Sequence, residues 1–144
     1  MKINHLVAAS AAILLVACSE TPAPEVEEAP AETMAAANPM LEDWDTPFGV
    51  PPFDRIESEH YLPAFRAAMK AHADEIDAIT ANADAPTFEN TIEALELSGG
   101  MLSRVSRVFF AVDSANSDDV TKETAKTVAP ELSAHRDNIL LNKD

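Results

Sequence analysis

Cysteine and basic residues are the two scarce classes in this chain. Among its 144 residues there is one cysteine, which excludes an internal disulfide and any structural zinc site built on two or four thiolates. Lysine and arginine together number 10, against 25 aspartates and glutamates, and the formal net charge is -15. Such a chain repels phosphate backbones, and no basic cluster offsets the imbalance. We therefore expect no nucleic-acid partner.

The start of the chain has the layout of a bacterial lipoprotein export signal. Lys2 supplies a positive charge, and an uncharged apolar run follows from Leu6 to Ala17. This run is too short for a membrane-spanning helix, which needs roughly twenty residues. Leu15-Val16-Ala17-Cys18 resembles a lipobox, in which the cysteine sulfur is acylated and the chain is cut before it. The sequence predicts a signal peptide over residues 1–17 and lipidation at Cys18; the alternative is an ordinary cleaved signal with an incidental cysteine.

The next segment, residues 18–38, is typical of a tether. It is rich in glutamate and proline, and it has no basic residue, so it cannot bury enough apolar surface to fold by itself. Several acyl chains on one cysteine anchor a protein stably to a lipid bilayer. We expect a lipid-anchored protein of the bacterial cell envelope that faces the periplasm through acylated Cys18. Ser19 after that cysteine favours the outer membrane.

Residues 39–144 predict an all-α fold that opens with an extended strap. Prolines exclude a regular helix up to about residue 57, and the strap should be anchored on the helices by large apolar side chains. These are Trp44, Phe48, Val50, Phe53 and Ile56. A first helix is predicted over residues 58–81, with Ser58 as its N-cap; the alternative is a start a few residues later, because Pro63 is tolerated only in a first turn. Its apolar face carries Leu62, Phe65, Met69, His72, Ile76 and Ile79 at steps of three and four.

Two further helices follow in the pattern. Thr87 can cap a helix that runs from Phe88 towards Asp113, and Gly99-Gly100 inside it indicates a bend or a closely packed neighbour. The alternative there is a turn between two shorter helices. A third helix is predicted from Ser117 or Asp118 towards Leu141, with a kink caused by Pro130. Its apolar face carries Val128, Leu132, His135 and Ile139.

The histidines offer no zinc motif. None of the four lies four residues from another, as HExxH requires, and Ile56 stands where the inverted motif HxxEH needs its first histidine. The sequence therefore predicts no catalytic residue and no metal ligand in these 144 residues. We interpret His72 and His135 as structural and His60 as half-exposed in a first helical turn. Ser103, His135 and Asp113 could form a triad on residue type alone, without supporting spacing.

Several separated blocks resemble the N-terminal part of bacterial peptidyl-dipeptidases of the thimet oligopeptidase family. The blocks keep their order and spacing from residue 38 onwards. They are Asn38-Pro39-Met40-Leu41, Trp44 to Asp54, Glu59 to Phe65, Pro86 to Ile92, Leu102-Ser103-Arg104-Val105 with Phe109-Phe110, and Val128 to Leu132 with His135.

The resemblance implies a mostly helical zinc metallopeptidase. In that family an HExxH helix and a downstream glutamate hold zinc, oligopeptide substrates enter a deep channel, and peptidyl-dipeptidases release C-terminal dipeptides. The matching region corresponds to N-terminal helices of the channel wall, and the zinc motif lies beyond residue 144, so no catalytic residue carries over. We expect a truncated peptidase that is inactive alone. The alternative is a stand-alone helical envelope lipoprotein that acts as a binding module.

Overall fold

The computed structural model describes residues 38–143, so the signal peptide, Cys18 and most of the linker lie outside the described residues. Within that range the predicted all-α fold is confirmed, and no strand is present. The helices are α1 (Tyr61–Thr80), the short α2 (Ala94–Leu97), α3 (Gly100–Asn116) and α4 (Asp119–Leu140). No helix in residues 38–143 is both long enough and apolar enough to cross a membrane.

The first helix begins at Tyr61, so the alternative of a start a few residues after Ser58 is confirmed. A 3-10 turn, Ser58–His60, precedes α1, and Glu57 caps it, so the assignment of Ser58 as N-cap is wrong. The His60 N–H donates to the Glu57 carbonyl at 3.0 Å, while the Glu57 N–H donates to His60 Nδ1 at 3.0 Å. The Ser58 hydroxyl instead donates to Asp118 Oδ2 at 2.6 Å. A carboxylate is the stronger acceptor, which explains why this hydroxyl turns to the partner helix.

The segment predicted as one helix from Phe88 to Asp113 is divided. Thr87 caps its start as predicted, accepting from the Asn90 N–H at 3.1 Å, and a π-helical turn, Phe88–Glu93, leads into α2. The chain then turns at Gly99, whose φ of 70° ends the helical path, and α3 starts at Gly100. The prediction of a continuous helix is therefore wrong, and the alternative of two shorter helices is confirmed.

The last helix follows the prediction closely. Asp118 is its N-cap: Asp118 Oδ1 accepts from the Thr121 N–H at 2.7 Å, and the Asp118 N–H donates back to Thr121 Oγ1 at 2.7 Å. This reciprocal pair satisfies two backbone N–H groups that the first turn would otherwise leave unpaired. The helix runs through Pro130 as one element and ends at Leu140.

The core lies where α1, α3 and α4 meet. Phe109 is fully buried, and its ring packs edge-on against Tyr61 and Phe65, with ring centroids 5.0 and 5.2 Å away. Such edge-to-face pairs contribute about 0.5–1.5 kcal/mol beyond the area that they bury. Val105 and Val128 are also fully buried there, so both later helices are fixed on α1 through their middle turns.

The strap is anchored by fewer aromatic residues than predicted. Trp44 and Ile56 pack against the core, but Phe48, Val50 and Phe53 are exposed, so their assignment as anchors is wrong. The strap is not extended here: it turns through the 3-10 turn Pro47–Gly49, where Phe48 has a φ of 62° in the left-handed region, so the spacing expected of an extended anchor is lost.

Two residues at the start of the strap replace the missing anchors. Met40 is fully buried in the core, and Asn38 is 1% exposed. The Asn38 side chain donates to the His60 carbonyl at 2.6 Å and accepts from the Met40 N–H at 3.0 Å. Arg104 completes the attachment, because it donates to the Met40 carbonyl at 3.2 Å and stacks 4.7 Å from the centre of the Trp44 ring.

Candidate functional site

Two histidines that are 63 residues apart in sequence contact each other between α1 and α4. His135 Nε2 lies 3.0 Å from His72 Nδ1, and the two rings meet edge to face with centroids 5.0 Å apart. Both side chains are half-buried. The structural role assigned to each from its apolar helix face did not foresee the pair, because spacing along one helix says nothing about the facing helix.

A chain of hydrogen bonds fixes the direction of this contact. The Ser98 hydroxyl donates its single proton to the Leu95 carbonyl at 2.7 Å, so it can only accept from His72 Nε2, which lies 3.2 Å away. His72 is then protonated at Nε2, and its Nδ1 accepts from His135 Nε2–H. In the neutral state the hydrogen bonds therefore run in one direction: His135 on α4 donates to His72 on α1, His72 donates to Ser98, and Ser98 donates to the backbone of α2.

Gly99 supports the His72 ring from the side of the α2–α3 turn. A Cβ atom placed on Gly99 would lie 2.9 Å from His72 Cε1 and 3.0 Å from His72 Nδ1, closer than a carbon side chain allows. The Gly99 N–H donates to Glu75 Oε2 at 2.6 Å, which ties the same turn to α1. The close neighbour expected from Gly99-Gly100 is therefore the imidazole of His72.

The surroundings of the pair favour its uncharged form. Burial lowers the pKa of His135, and a charge on His72 lowers it further. Both effects act against a second proton on the pair. The hydrogen bonds and the electrostatics therefore both favour the pair in which neither ring is charged.

An apolar groove of about 470 Å³ opens beside the pair. We call it the α1–α4 groove; the residues that line it are His72, Leu95, Ser98, Leu102, Leu132, His135, Arg136, Ile139 and Leu140. A second cavity of about 420 Å³ shares Leu95, Ile139 and Leu140 with it and extends along the C-terminal turns of α1. Volumes of this size are within the range of small-molecule or side-chain pockets.

The histidine pair does not fit a zinc centre. Catalytic zinc needs three protein ligands and an open position, and here the two facing nitrogens are used in a hydrogen bond with each other. In the part of the chain from residue 38 to residue 143, no group of three or more histidine, cysteine, aspartate or glutamate side chains could hold a metal ion. Metal chemistry is therefore not assigned to any residue described here.

The triad considered from residue types is not assembled. His135 is paired with His72, and Asp113 accepts from the Ser117 hydroxyl at 2.9 Å. Ser103 is exposed on α3. His60 is half-exposed as expected, and its ring acts in the cap at the start of α1.

Comparison with known proteins identifies relatives among peptidases, although no protein-family model matches the chain. Dipeptidyl carboxypeptidase of Salmonella typhimurium is 41% identical over 107 residues, covering 74% of this chain and 16% of that protein. The Escherichia coli dipeptidyl carboxypeptidase is 40% identical over 109 residues, covering 76% and 16%. Oligopeptidase A of Escherichia coli is 28% identical over 98 residues, covering 68% and 14%.

The chain thus spans about a sixth of the length of the curated relatives that it matches. The relatives are peptidases of one family, and the matched segment accounts for about three-quarters of this chain. The resemblance found in the sequence blocks is confirmed: over the matched segment, this chain is homologous to peptidases of the thimet oligopeptidase family.

Proposed function

We propose that this chain is an N-terminal segment of a zinc peptidyl-dipeptidase, whose whole protein hydrolyses oligopeptides and releases dipeptides from their C-termini. The observation that carries the proposal is the identity of 40 to 41% with two dipeptidyl carboxypeptidases over about three-quarters of the chain. Zinc in the whole protein follows from the family resemblance of the sequence blocks. The catalytic residues and the zinc ligands would come from parts of the whole protein outside residues 38–143.

In this proposal the described helices form part of the wall around the peptide channel. Large apolar side chains remain exposed along the π-helical turn Phe88–Glu93, along α2 and at the end of α4, where a neighbouring part of the whole protein can cover them. They are Phe88, Ile92, Leu95, Leu97, Leu140 and Leu141. The segment would thus form part of the channel wall of the peptidase. It would supply no general acid, no general base and no metal ligand.

A chimera tests the whole-protein activity. Residues 38–143 of this chain replace the matching segment of the Escherichia coli dipeptidyl carboxypeptidase, and release of the C-terminal dipeptide from a blocked tripeptide is followed. We expect cleavage by the chimera and none by a control that lacks the segment. A chimera that folds but does not cleave would contradict the proposal.

The chain itself should be inactive. The purified 144-residue chain is expected to bind no stoichiometric zinc in equilibrium dialysis and to leave the same tripeptide intact. The reason is that residues 38–143 hold no cluster of three possible ligands, whereas a catalytic zinc site needs three. Zinc-dependent cleavage by this chain alone would refute the assignment.

We also propose that acylated Cys18 anchors the protein to a lipid bilayer of the bacterial cell envelope, on the periplasmic side. The support is the position of the cysteine directly after an apolar run of signal-peptide length. Metabolic labelling with a fatty acid in a bacterial host should label the wild-type chain, and Cys18→Ser should lose the label. Equal labelling of both would overturn the proposal.

The second candidate, a stand-alone envelope lipoprotein that binds a partner without chemistry, is favoured by the α1–α4 groove, whose lining is mostly leucine and isoleucine. Titration of the full chain with a fluorescent apolar probe separates the two. If the probe binds saturably at the groove and the chimera does not cleave the tripeptide, the results support the binding module over the peptidase.

A further inference from the structure

The two halves of α4 are attached to the rest of the fold by different means. In the N-terminal half, Thr121, Thr124 and Val128 are buried, and Glu131 forms a bidentate ion pair with Arg66 on α1, with oxygen–nitrogen distances of 2.8 and 3.3 Å. None of these contacts depends on a histidine.

The C-terminal half is attached through Leu132, which packs against the edge of the core, and through the histidine pair. Beyond Glu131 no residue of α4 is fully buried in the described structure; Leu132, His135 and Ile139 are half-buried and line the α1–α4 groove. The hydrogen bond from His135 to His72 joins this half to α1. A change at the pair therefore acts on this half selectively.

The pair tolerates one proton but not two. With both rings neutral, His135 Nε2–H donates to His72 Nδ1. With one proton added, a charged ring can still donate to the lone pair of the neutral ring. With two, both facing nitrogens carry hydrogens, no acceptor remains, and two cations face each other across 3.0 Å.

We propose that His72 and His135 form a pH-sensitive clip, which holds the C-terminal half of α4 against α1 while at most one ring is charged and releases it, opening the α1–α4 groove, when both are charged. The clip sits at the rim of the groove, since both rings line it. Release of residues 132–140 would expose the apolar side chains on both of its walls.

The other groups that face the histidine pair come from α4, α1, the α2–α3 turn and α3. From α4, Arg136 lines the groove and adds positive charge, which opposes a second proton. From α1, the carboxylate of Glu75 accepts from the Gly99 N–H at 2.6 Å and keeps its negative charge, which partly offsets the positive charge of Arg136. From the α2–α3 turn the partner is the neutral Ser98 hydroxyl, and α3 presents the apolar side chain of Leu102.

The direction of the pH response follows from His135. Its pKa is lowered in the fold, chiefly by burial and then by charge on His72, so the unfolded chain binds more protons there than the folded one. The stabilising contribution is therefore fully present above the ordinary histidine pKa of about 6.5, and it is lost as the pH falls below that value. The clip closes near neutrality and opens in mild acid.

Hydrogen exchange of the full 144-residue chain at about pH 7.5 and about pH 5 tests the clip, because these values bracket the ordinary histidine pKa. The measured quantity is the protection of residues 132–140 divided by that of residues 121–131 in the same helix. We expect the ratio to fall roughly tenfold in acid, which corresponds to about 1.4 kcal/mol. An unchanged ratio would refute the clip.

Two variants separate the pair from other titrating groups. In His135→Gln the amide does not titrate, so the ratio should no longer depend on pH, although Asp137 in the same segment is retained. In the matched control His60→Gln, which alters a histidine at the opposite end of α1, the response should persist. A pH response of equal size in His135→Gln would overturn the proposal.

A measurement on the wild-type chain needs no variant. Imidazole nitrogen spectra should show His135 titrating below the ordinary histidine pKa, because burial and then charge on His72 oppose its proton. A titration of His135 at the ordinary value of about 6.5 would contradict the proposal. Failure of the peptidase chimera would leave this test unaffected, because it depends on the fold of residues 38–143 alone.

Discussion

Replacing Gly99 with alanine should destabilise the fold more than the same change at any other glycine. Two effects add at this position. An alanine forced to a φ of 70° costs about 1–2 kcal/mol, because its Cβ approaches the neighbouring carbonyl oxygen. The new methyl carbon would also lie 2.9 Å from the His72 ring, and overpacking of this kind costs about 1–3 kcal/mol. We expect a total of about 2–4 kcal/mol after partial relaxation.

The His72 ring has little freedom to relieve this contact. Its Nδ1 is bonded to His135 and its Nε2 to Ser98, so a rotation that makes room for the methyl group breaks at least one of these bonds. Each such bond contributes about 0.5–1.5 kcal/mol net. The strain at Gly99 should therefore also weaken the contact between α1 and α4.

The other two glycines are matched controls. Gly49 has a similar φ of 64°, but a Cβ atom placed on it would have no neighbour within 4 Å, so its alanine variant should lose only the backbone strain of about 1–2 kcal/mol. Gly100 begins α3 with open space around it, so Gly100→Ala should stabilise the chain by about 0.5–1 kcal/mol. The three variants should thus differ in sign and size.

Urea unfolding of the full chain, followed by circular dichroism, measures the three free energies of unfolding. The double variant Gly99→Ala with His72→Ala should recover part of the loss, because the smaller side chain leaves space for the methyl group. Equal losses at Gly99 and Gly49 would show that the imidazole contact has no energetic weight, and the reasoning would be refuted.

Three further changes test the core and the helix caps. Phe109→Ala removes a fully buried ring and should cost about 3–5 kcal/mol in urea unfolding, whereas Phe110→Ala, at a partly exposed position, should cost less than half of that. The hydrogen bonds that Asp118 accepts from the Ser58 hydroxyl and then from Thr121 lower its pKa to about 2. Stability should therefore fall as the pH drops from about 4 towards 2, and Asp118→Asn should flatten this dependence. Thr87→Ala should lower stability by about 1 kcal/mol, since the first turn loses its cap.

Each of these predictions has an outcome that contradicts it. Equal costs at the two phenylalanines would place Phe109 outside the cooperative core. An acid-unfolding curve for Asp118→Asn that overlays the wild type would mean that the bond with Ser58 does not act on folding. Thr87→Ser keeps the hydroxyl, so a loss as large as that of Thr87→Ala would exclude the cap as the cause.

Helix starts could be read from the sequence where a short polar side chain caps its own helix. Thr87 and Asp118 are cases of this kind, since each bonds to a residue three positions later and the information is local. Ser58 failed because its hydroxyl bonds to a carboxylate 60 residues away. The competing partner belongs to the tertiary fold, and no local pattern contains it.

The sequence left two interpretations open at Gly99-Gly100, and it did not show the histidine pair. The apolar pattern continues through Gly99, so it could not decide between a bent helix and a turn. The His72 ring, which leaves no room for a Cβ atom at Gly99, shows why glycine is needed there. The pair itself depends on how α1 and α4 are rotated against each other. Periodicity places His72 and His135 on apolar faces, but it does not determine which turns of two helices meet.

The burial of Asn38 has a mechanical consequence. A pull from the N-terminal side meets the fold at this residue, where the side chain is bonded to the His60 carbonyl and the next anchor, Met40, is in the core two residues later. The load would thus reach the first turn of α1 as shear across several contacts at once, which resists force better than the stepwise peeling of a helix end. A membrane tether on the N-terminal side would therefore pull against the buried contacts of Asn38 and Met40.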